Sequence, residues 1–187
     1  EPPLAAPRHA ELRKDRAQAH LVLGFRGLTV DDPDRFALEV ITQLLAGQGG
    51  RLFLELRDQR GLAYSVSALN AEGVAPGFFA VTIGAAPGKL DEARRGIREE
   101  LEALVAGPPP EDELARARRY LIGNFEIDRQ RSAVRAAHMA IDALYGLGAD
   151  AQRRFAASVA AVTGDDVLRV ARRIVDFSGA VEAVIRP

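Results

Sequence analysis

The chain has no cysteine, which excludes disulfides, thiolate nucleophiles and cysteine zinc sites and leaves the redox state of its compartment open. It also has almost no net charge. Its 25 Lys and Arg against 26 Asp and Glu leave −1 at neutral pH, so no field draws in nucleic acid or an anionic membrane. No apolar run approaches the roughly 20 residues that span a bilayer, and the opening EPPLAAPRHAELRKD lacks the charged-then-apolar order of a signal peptide. There is no repeat of fixed period and no low-complexity tract. The Ala and Arg enrichment fits a GC-rich bacterial genome, with the compartment open between periplasm and cytoplasm. The Pro-rich start without an initiator Met is what a fragment cut from a longer precursor would show.

Familiar catalytic signatures are missing as well. The three histidines are His9, His20 and His138. A zinc hydrolase helix needs two histidines four apart beside a water-activating glutamate. No pair here has that spacing, so no metal site is expected within the chain. His9 falls in a linker, His20 opens a buried strand and His138 sits inside a helix, all as structural or solvated groups. No G-x-S-x-G elbow supports a serine triad. The run GQGG at Gly47 to Gly50 leads into a helix N-terminus, where free amides can hold an anion. Neither phosphate-loop spacing accompanies it, so a helix C-cap and tight turn is the first reading.

What is present is a core. A chain of 187 residues, 48% apolar, is one domain with enough buried surface to be stable. Glu1 to Pro7 reads as a linker, with a short edge strand around Ala10 to Arg13. AHLVLGFRG, Ala19 to Gly27, reads as a buried strand. Asp32 and Pro33 form an N-cap and first-turn pair for a helix from Pro33 to Ala46. A helix over Arg51 to Arg60, with Leu52, Phe53 and Leu56 inward, stops at Gly61. Leu62 to Ala71 and Gly77 to Ala85 read as an antiparallel hairpin across EGVAPG. A helix over Pro87 to Val105 ends at Gly107 and three prolines. Glu111 to Ile174 is helical, with breaks near 128–132, 146–150 and 163–164; Thr163 and Asp166 are spaced as a capping box. Gly179 to Ile185 returns as a last strand. The pattern predicts an α+β fold: a mainly antiparallel or mixed sheet of about five to six strands with helices on one face.

Charged groups offer few candidates. EDELARARRY, Glu111 to Tyr120, has acidic residues three or four ahead of arginines and reads as a solvated helix face. Arg129, Arg131 and Arg135 cluster at a helix boundary, by default on the surface and otherwise against a partner. Arg57 and Tyr64 straddle a helix-to-strand junction. From the residues alone, an exposed charge and a core phenol describe them as well as a pair of oxyanion donors does.

RLFLELRDQRGLAYSVSA, Arg51 to Ala68, resembles the hallmark of the second domain of the insulinase and pitrilysin family of zinc peptidases, which includes the mitochondrial processing peptidases. The likeness extends to QAHLVLGF at Gln18 to Phe25, to GQGG, to the hairpin and to the helical C-terminal half. The resemblance implies residues 1–16 as linker and edge segment and 17–187 as a single α+β domain, one of a pair closing around an unfolded peptide. One domain of such a pair carries H-x-x-E-H and a downstream glutamate. The other supplies an Arg and a Tyr seven positions apart, matched here by Arg57 and Tyr64. By this resemblance the chain is the non-metal domain. Zinc lies in the partner domain, of the same precursor or of a second subunit, and Arg57 and Tyr64 hold substrate and stabilise the tetrahedral intermediate. A homodimer of the full protein is compatible with this scheme; nucleic-acid and membrane partners are not part of it. The alternatives are an inactive relative acting as a scaffold or assembly subunit, and a stand-alone module that adds a peptide strand to a sheet edge.

Overall fold

The computed structural model describes residues 6–187; of the linker expected over Glu1–Pro7, residues 1–5 lie outside them. The sheet is built outward from β2, Ala19–Arg26. Its side chains alternate, with Ala19, Leu21, Leu23 and Phe25 buried and His20, Val22 and Arg26 exposed. That period of two suits a strand covered on one face only. β3 (Ala63–Ala71), β4 (Phe78–Ala85), β5 (Val181–Arg186) and β1 (Arg8–Arg13) complete one five-stranded sheet in the order β1-β5-β2-β4-β3. All neighbours are antiparallel except β1 and β5. β1 starts two residues earlier than its pattern predicts, because the parallel ladder opens with Arg8 against Val181. It therefore takes in His9, expected in the linker, whose Nδ1 lies 2.8 Å from Glu182. All six residues of β1 are exposed, and its charges suit an edge strand.

The helices α1 (Arg35–Leu45), α2 (Leu90–Ala106), α3 (Glu111–Asp128), α4 (Ser132–Leu144), α5 (Phe155–Ala161) and α6 (Gly164–Ile174) follow the predicted breaks. Leu38, Ile41 and Leu45 of α1 and Ile97 and Leu101 of α2 join Leu21, Phe79 and Ile83 in the core. α1 begins at Arg35, two residues later than expected, and its N-cap is Asp34 without a side-chain bond. The acidic pair also reaches across the fold. Asp34 accepts from Arg169 and Arg173 at 2.7 Å each, and Asp32 accepts from Arg173 at 2.7 Å and from the Asp34 amide at 2.9 Å. The Arg173 guanidinium holds the Asp32 carboxyl below its ordinary range and ties α6 to the start of α1.

The N-terminus of α6 carries the expected capping box, with aspartate in place of the usual Glu or Gln. The Thr163 hydroxyl accepts from the Asp166 amide at 3.1 Å, while Asp166 accepts from the Thr163 amide at 3.0 Å and the Thr163 hydroxyl at 2.6 Å. The hydroxyl first, then the amide and Arg169, bring the Asp166 carboxyl down to about 2. Because this value is depressed on folding, its contribution is complete above the unfolded value, near ~3.9, and is lost as pH falls through about 2. Urea midpoints measured from pH 7 downward should show wild type and Asp166→Asn converging across that window. Thr163→Ala should cost about 1 kcal/mol at pH 7.

Candidate functional site

The stretch from Gly47 to Tyr64 is held by backbone geometry at both ends. Gly47 takes φ +76°, and a Cβ on Gly50 would lie 2.1 Å from the Ala46 carbonyl oxygen, so the tight turn after α1 needs glycine. Gly61, at φ +60°, reverses the chain at the other end, and the Leu62 amide donates across it to the Leu56 carbonyl at 2.7 Å. Between them the expected α-helix over Arg51 to Arg60 is instead a π-helix at Phe53–Gln59. The Arg60 amide reaches five residues back to the Glu55 carbonyl at 3.1 Å. Such widened turns are rare and concentrate at functional sites. Widening also changes which residues face inward. Leu52 and Leu56 are fully buried, but Phe53, expected inward with them, is half-buried beneath the Arg57 guanidinium, 4.7 Å from its ring centre.

The three arginines of this segment have different surroundings. Arg51 forms a bidentate pair with Glu113 of α3, both bonds 2.8 Å. Arg60 bonds Glu55 and, on α2, Glu99, again at 2.8 Å. Arg57, between them, is exposed and pairs with no carboxylate among the described residues. The π-helix is thus clamped at both ends while the guanidinium in its middle stays available. Glu113 is the departure from the solvated face expected for EDELARARRY, since its side chain is only 14% exposed and seats Arg51.

Tyr64 is presented by a second irregularity. Ala63 pairs with Ala85 and Ser65 with Gly84, so Tyr64 is the extra residue of a β-bulge on edge strand β3. Bulges re-aim side chains and are frequent beside active sites; Tyr64 is 59% exposed. No hydrogen bond or cation–π contact joins it to Arg57 among the described residues. Both are offered to solvent from consecutive elements either side of Gly61. The structure also groups residues that sequence reasoning missed. A Cβ on Gly84 would lie 2.9 Å from Ser65 Oγ and 3.1 Å from His20 Cε1, so this glycine makes room for both on the uncovered sheet face, beside the bulge. His20, at the start of its strand, is exposed there as a solvated group. The only sequence signal was a glycine inside a strand.

Among the described residues no group of three or more His, Asp or Glu could hold a metal ion. The histidines lie on β1, β2 and α4, and this donor set does not fit a zinc site. At the glycine-rich turn a small cavity of about 170 Å³ is bounded by Gln43, Gly49, Arg116 and Tyr120. The expected arginine cluster divides. Arg131 pairs with Asp128 at 2.8 Å, Arg129 lies over Phe125, and Arg135 faces a second cavity.

Residues 1–121 match the family model described as the peptidase M16 inactive domain. The chain is 32% identical over 171 residues to a zinc protease of Streptomyces coelicolor described as uncharacterized, covering 91% of this chain and 37% of that protein. It superposes on the crystal structure of a peptidase M16 inactive domain from Pseudomonas fluorescens with a TM-score of 0.81 at 26% identity, covering 99% of this chain and 44% of the other. A protease from Helicobacter pylori shares the fold with a TM-score of 0.91 at 21% identity, covering 100% of this chain and 46% of that one. The chain thus spans less than half the length of these relatives.

Placement of the π-helix depends on α2. A Cβ on Gly96 would fall 2.3 Å from Leu56 Cδ2, and Leu56 is fully buried with little room to yield. Gly96→Ala is expected to destabilise the domain by about 1–3 kcal/mol through overpacking, read by urea unfolding. An unchanged midpoint would mean that Leu56 repacks freely.

Proposed function

Because the chain belongs to the peptidase M16 inactive-domain family, we propose that it works as the metal-free half of a zinc peptidase, binding peptide and lending Arg57 and Tyr64 to the active site of a zinc-binding partner domain. The observation that carries this reading is the contrast within one short segment. Arg51 and Arg60 are fixed in ion pairs, whereas Arg57 and Tyr64 stand exposed on a π-helix and a bulge. A scaffold would gain little from keeping an unpaired guanidinium and a phenol on two rigid irregularities. Donors aimed at developing negative charge on a peptide carbonyl gain much, because they cost no reorganisation when the charge forms. The partner supplies the metal and the general base. This chain supplies the Tyr64 hydroxyl as a hydrogen-bond donor to the oxyanion, and the Arg57 guanidinium as a charge on the substrate.

The uncovered sheet face supports a partner as well. Val22 is 41% exposed, Leu69 45% and Phe78 50% on neighbouring strands of that face, an apolar surface of the kind that interfaces cover. The scaffold reading has one observation of its own, the stacking of Arg57 on Phe53, which a purely structural arginine would also adopt.

The test is kinetic, in the full-length protein together with its zinc-binding domain or subunit. Tyr64→Phe should lower kcat about 10- to 1000-fold with KM little changed, the effect of losing one oxyanion donor. Zinc content should stay at the wild-type level. A kcat equal to wild type would transfer the chain to the scaffold reading. Separately, the isolated chain titrated with Zn²⁺ should show no stoichiometric tight site, and one tight equivalent would contradict the division of labour.

A further inference from the structure

α4 and the segment that follows it enclose a cavity of about 320 Å³, open to solvent and far in sequence from Arg57 and Tyr64. Arg129, Arg135 and Arg153 line it with His138, Asp150 and Gln152. The arginines come from three places: the C-cap of α3, the first turn of α4, and the 3₁₀ turn Ala151–Arg154. Arg129 is held in position over the Phe125 ring at 5.2 Å and by donation to the Gln152 carbonyl at 3.4 Å. Arg135 and Arg153 have no carboxylate within 4.0 Å among the described residues. The neighbouring Arg131 does, in Asp128. The nearby buried carboxylate, Asp142, is already occupied by the Gln152 side-chain amide. His138, half-buried, adds an imidazole to the wall.

Three guanidinium groups and one carboxylate give the walls a net charge of +2. Gathering unpaired arginines at one concavity costs repulsion, which an anion relieves. Guanidinium forks match planar two-oxygen acceptors, and the volume is at the small end for ligand sites, about 300–1,000 Å³. Asp150 on the wall opposes a dianion and can accept an N–H. Met139 and Ala149 offer apolar wall to an aliphatic stem.

We propose that this cavity is a carboxylate-binding site for a peptide segment, with the carboxylate held between Arg135 and Arg153 and an adjacent backbone N–H directed to Asp150. A chain's C-terminal carboxylate and an Asp or Glu side chain offer the same chemistry. The site lies outside the Arg57 and Tyr64 constellation and does not depend on a role for those residues.

Calorimetric titration of the full chain at low salt tests it with four probes: tetra-alanine with a free C-terminus, the same peptide amidated, N-acetyl-glutamate amide, and inorganic phosphate. Binding of the free peptide but not of the amidated one identifies a C-terminal carboxylate. Equal binding of N-acetyl-glutamate amide identifies a side-chain carboxylate, and either result supports the site. Arg135→Ala and Arg153→Ala should each weaken the carboxylate probe about 10-fold or more, the scale of one charged hydrogen bond. Arg→Lys at either position should restore only part of the loss. The His138 imidazole resonances should move on titration in wild type and not in the double alanine variant. Both arginines are exposed, so the variants are expected to keep the wild-type urea midpoint. Phosphate binding tighter than either carboxylate, no binding by any probe, or carboxylate binding unchanged in the double variant overturns the proposal.

Discussion

Leu21, Phe79 and Ile83 lie in a sheet that a single layer of helices covers, and the alternation that places them there governs the rest of the chain. Each such side chain removed from water contributes about 1.5–3 kcal/mol, so register in β2 and β4 is strongly specified. A slip of one residue would exchange the buried set with the uncovered one. Once that face is fixed, α1 and α2 must lie across it. The Asp34–Arg169–Arg173 group then sets where α6 meets the entrance to α1. The other face follows by default, carrying His20, Val22 and the glycine at position 84 that opens space beside Tyr64.

Much of this architecture was legible because its causes are local. The Gly61 reversal, the stop at Gly107 with its three prolines, the capping box at Thr163 and the period-two pattern of AHLVLGFR each act within a few residues. Features that arise from distant contacts were not legible. The π-helix depends on Leu56 seated against Gly96 and on clamps to Glu99 and Glu113, none of them near it in sequence. The bulge at Tyr64 was hidden because AYSVSALNA has small or apolar residues on both faces. Asp32 keeps the local bond from the Asp34 amide expected of a cap, but Arg173 also takes its carboxylate and the helix starts only at Arg35, a tertiary ion pair added to a turn preference. Arg129 and Arg135 could be flagged together, but their approach to Arg153 required the turn after α4.

The two constellations differ in what they ask of a partner. Arg57 and Tyr64 are exposed and have no hydrogen-bond acceptor among the described residues, and the sheet that carries Tyr64 has an uncovered apolar face. A domain docking there would remove water from both, and the same hydrogen bonds strengthen as the local dielectric falls. The arginine cavity is assembled within the helical half from side chains that already repel one another. It needs an anion rather than a domain. The free energy available at each place is of a different kind, directional at the first and electrostatic at the second.

The π-helix and the bulge share one arithmetic property. Each accommodates a residue more than the regular lattice around it, the first against the i−4 ladder and the second against β4. Deleting one residue from each would let the helix close as an ordinary α-helix and the edge strand lie flush. In the shortened chain Leu52 and Leu56 would no longer both face the core as they do now, and the Arg and Tyr would turn away from their present directions. The extra length therefore sets where Arg57 and Tyr64 stand, and it is visible to comparison only as a gap in an alignment and not as a change of residue type.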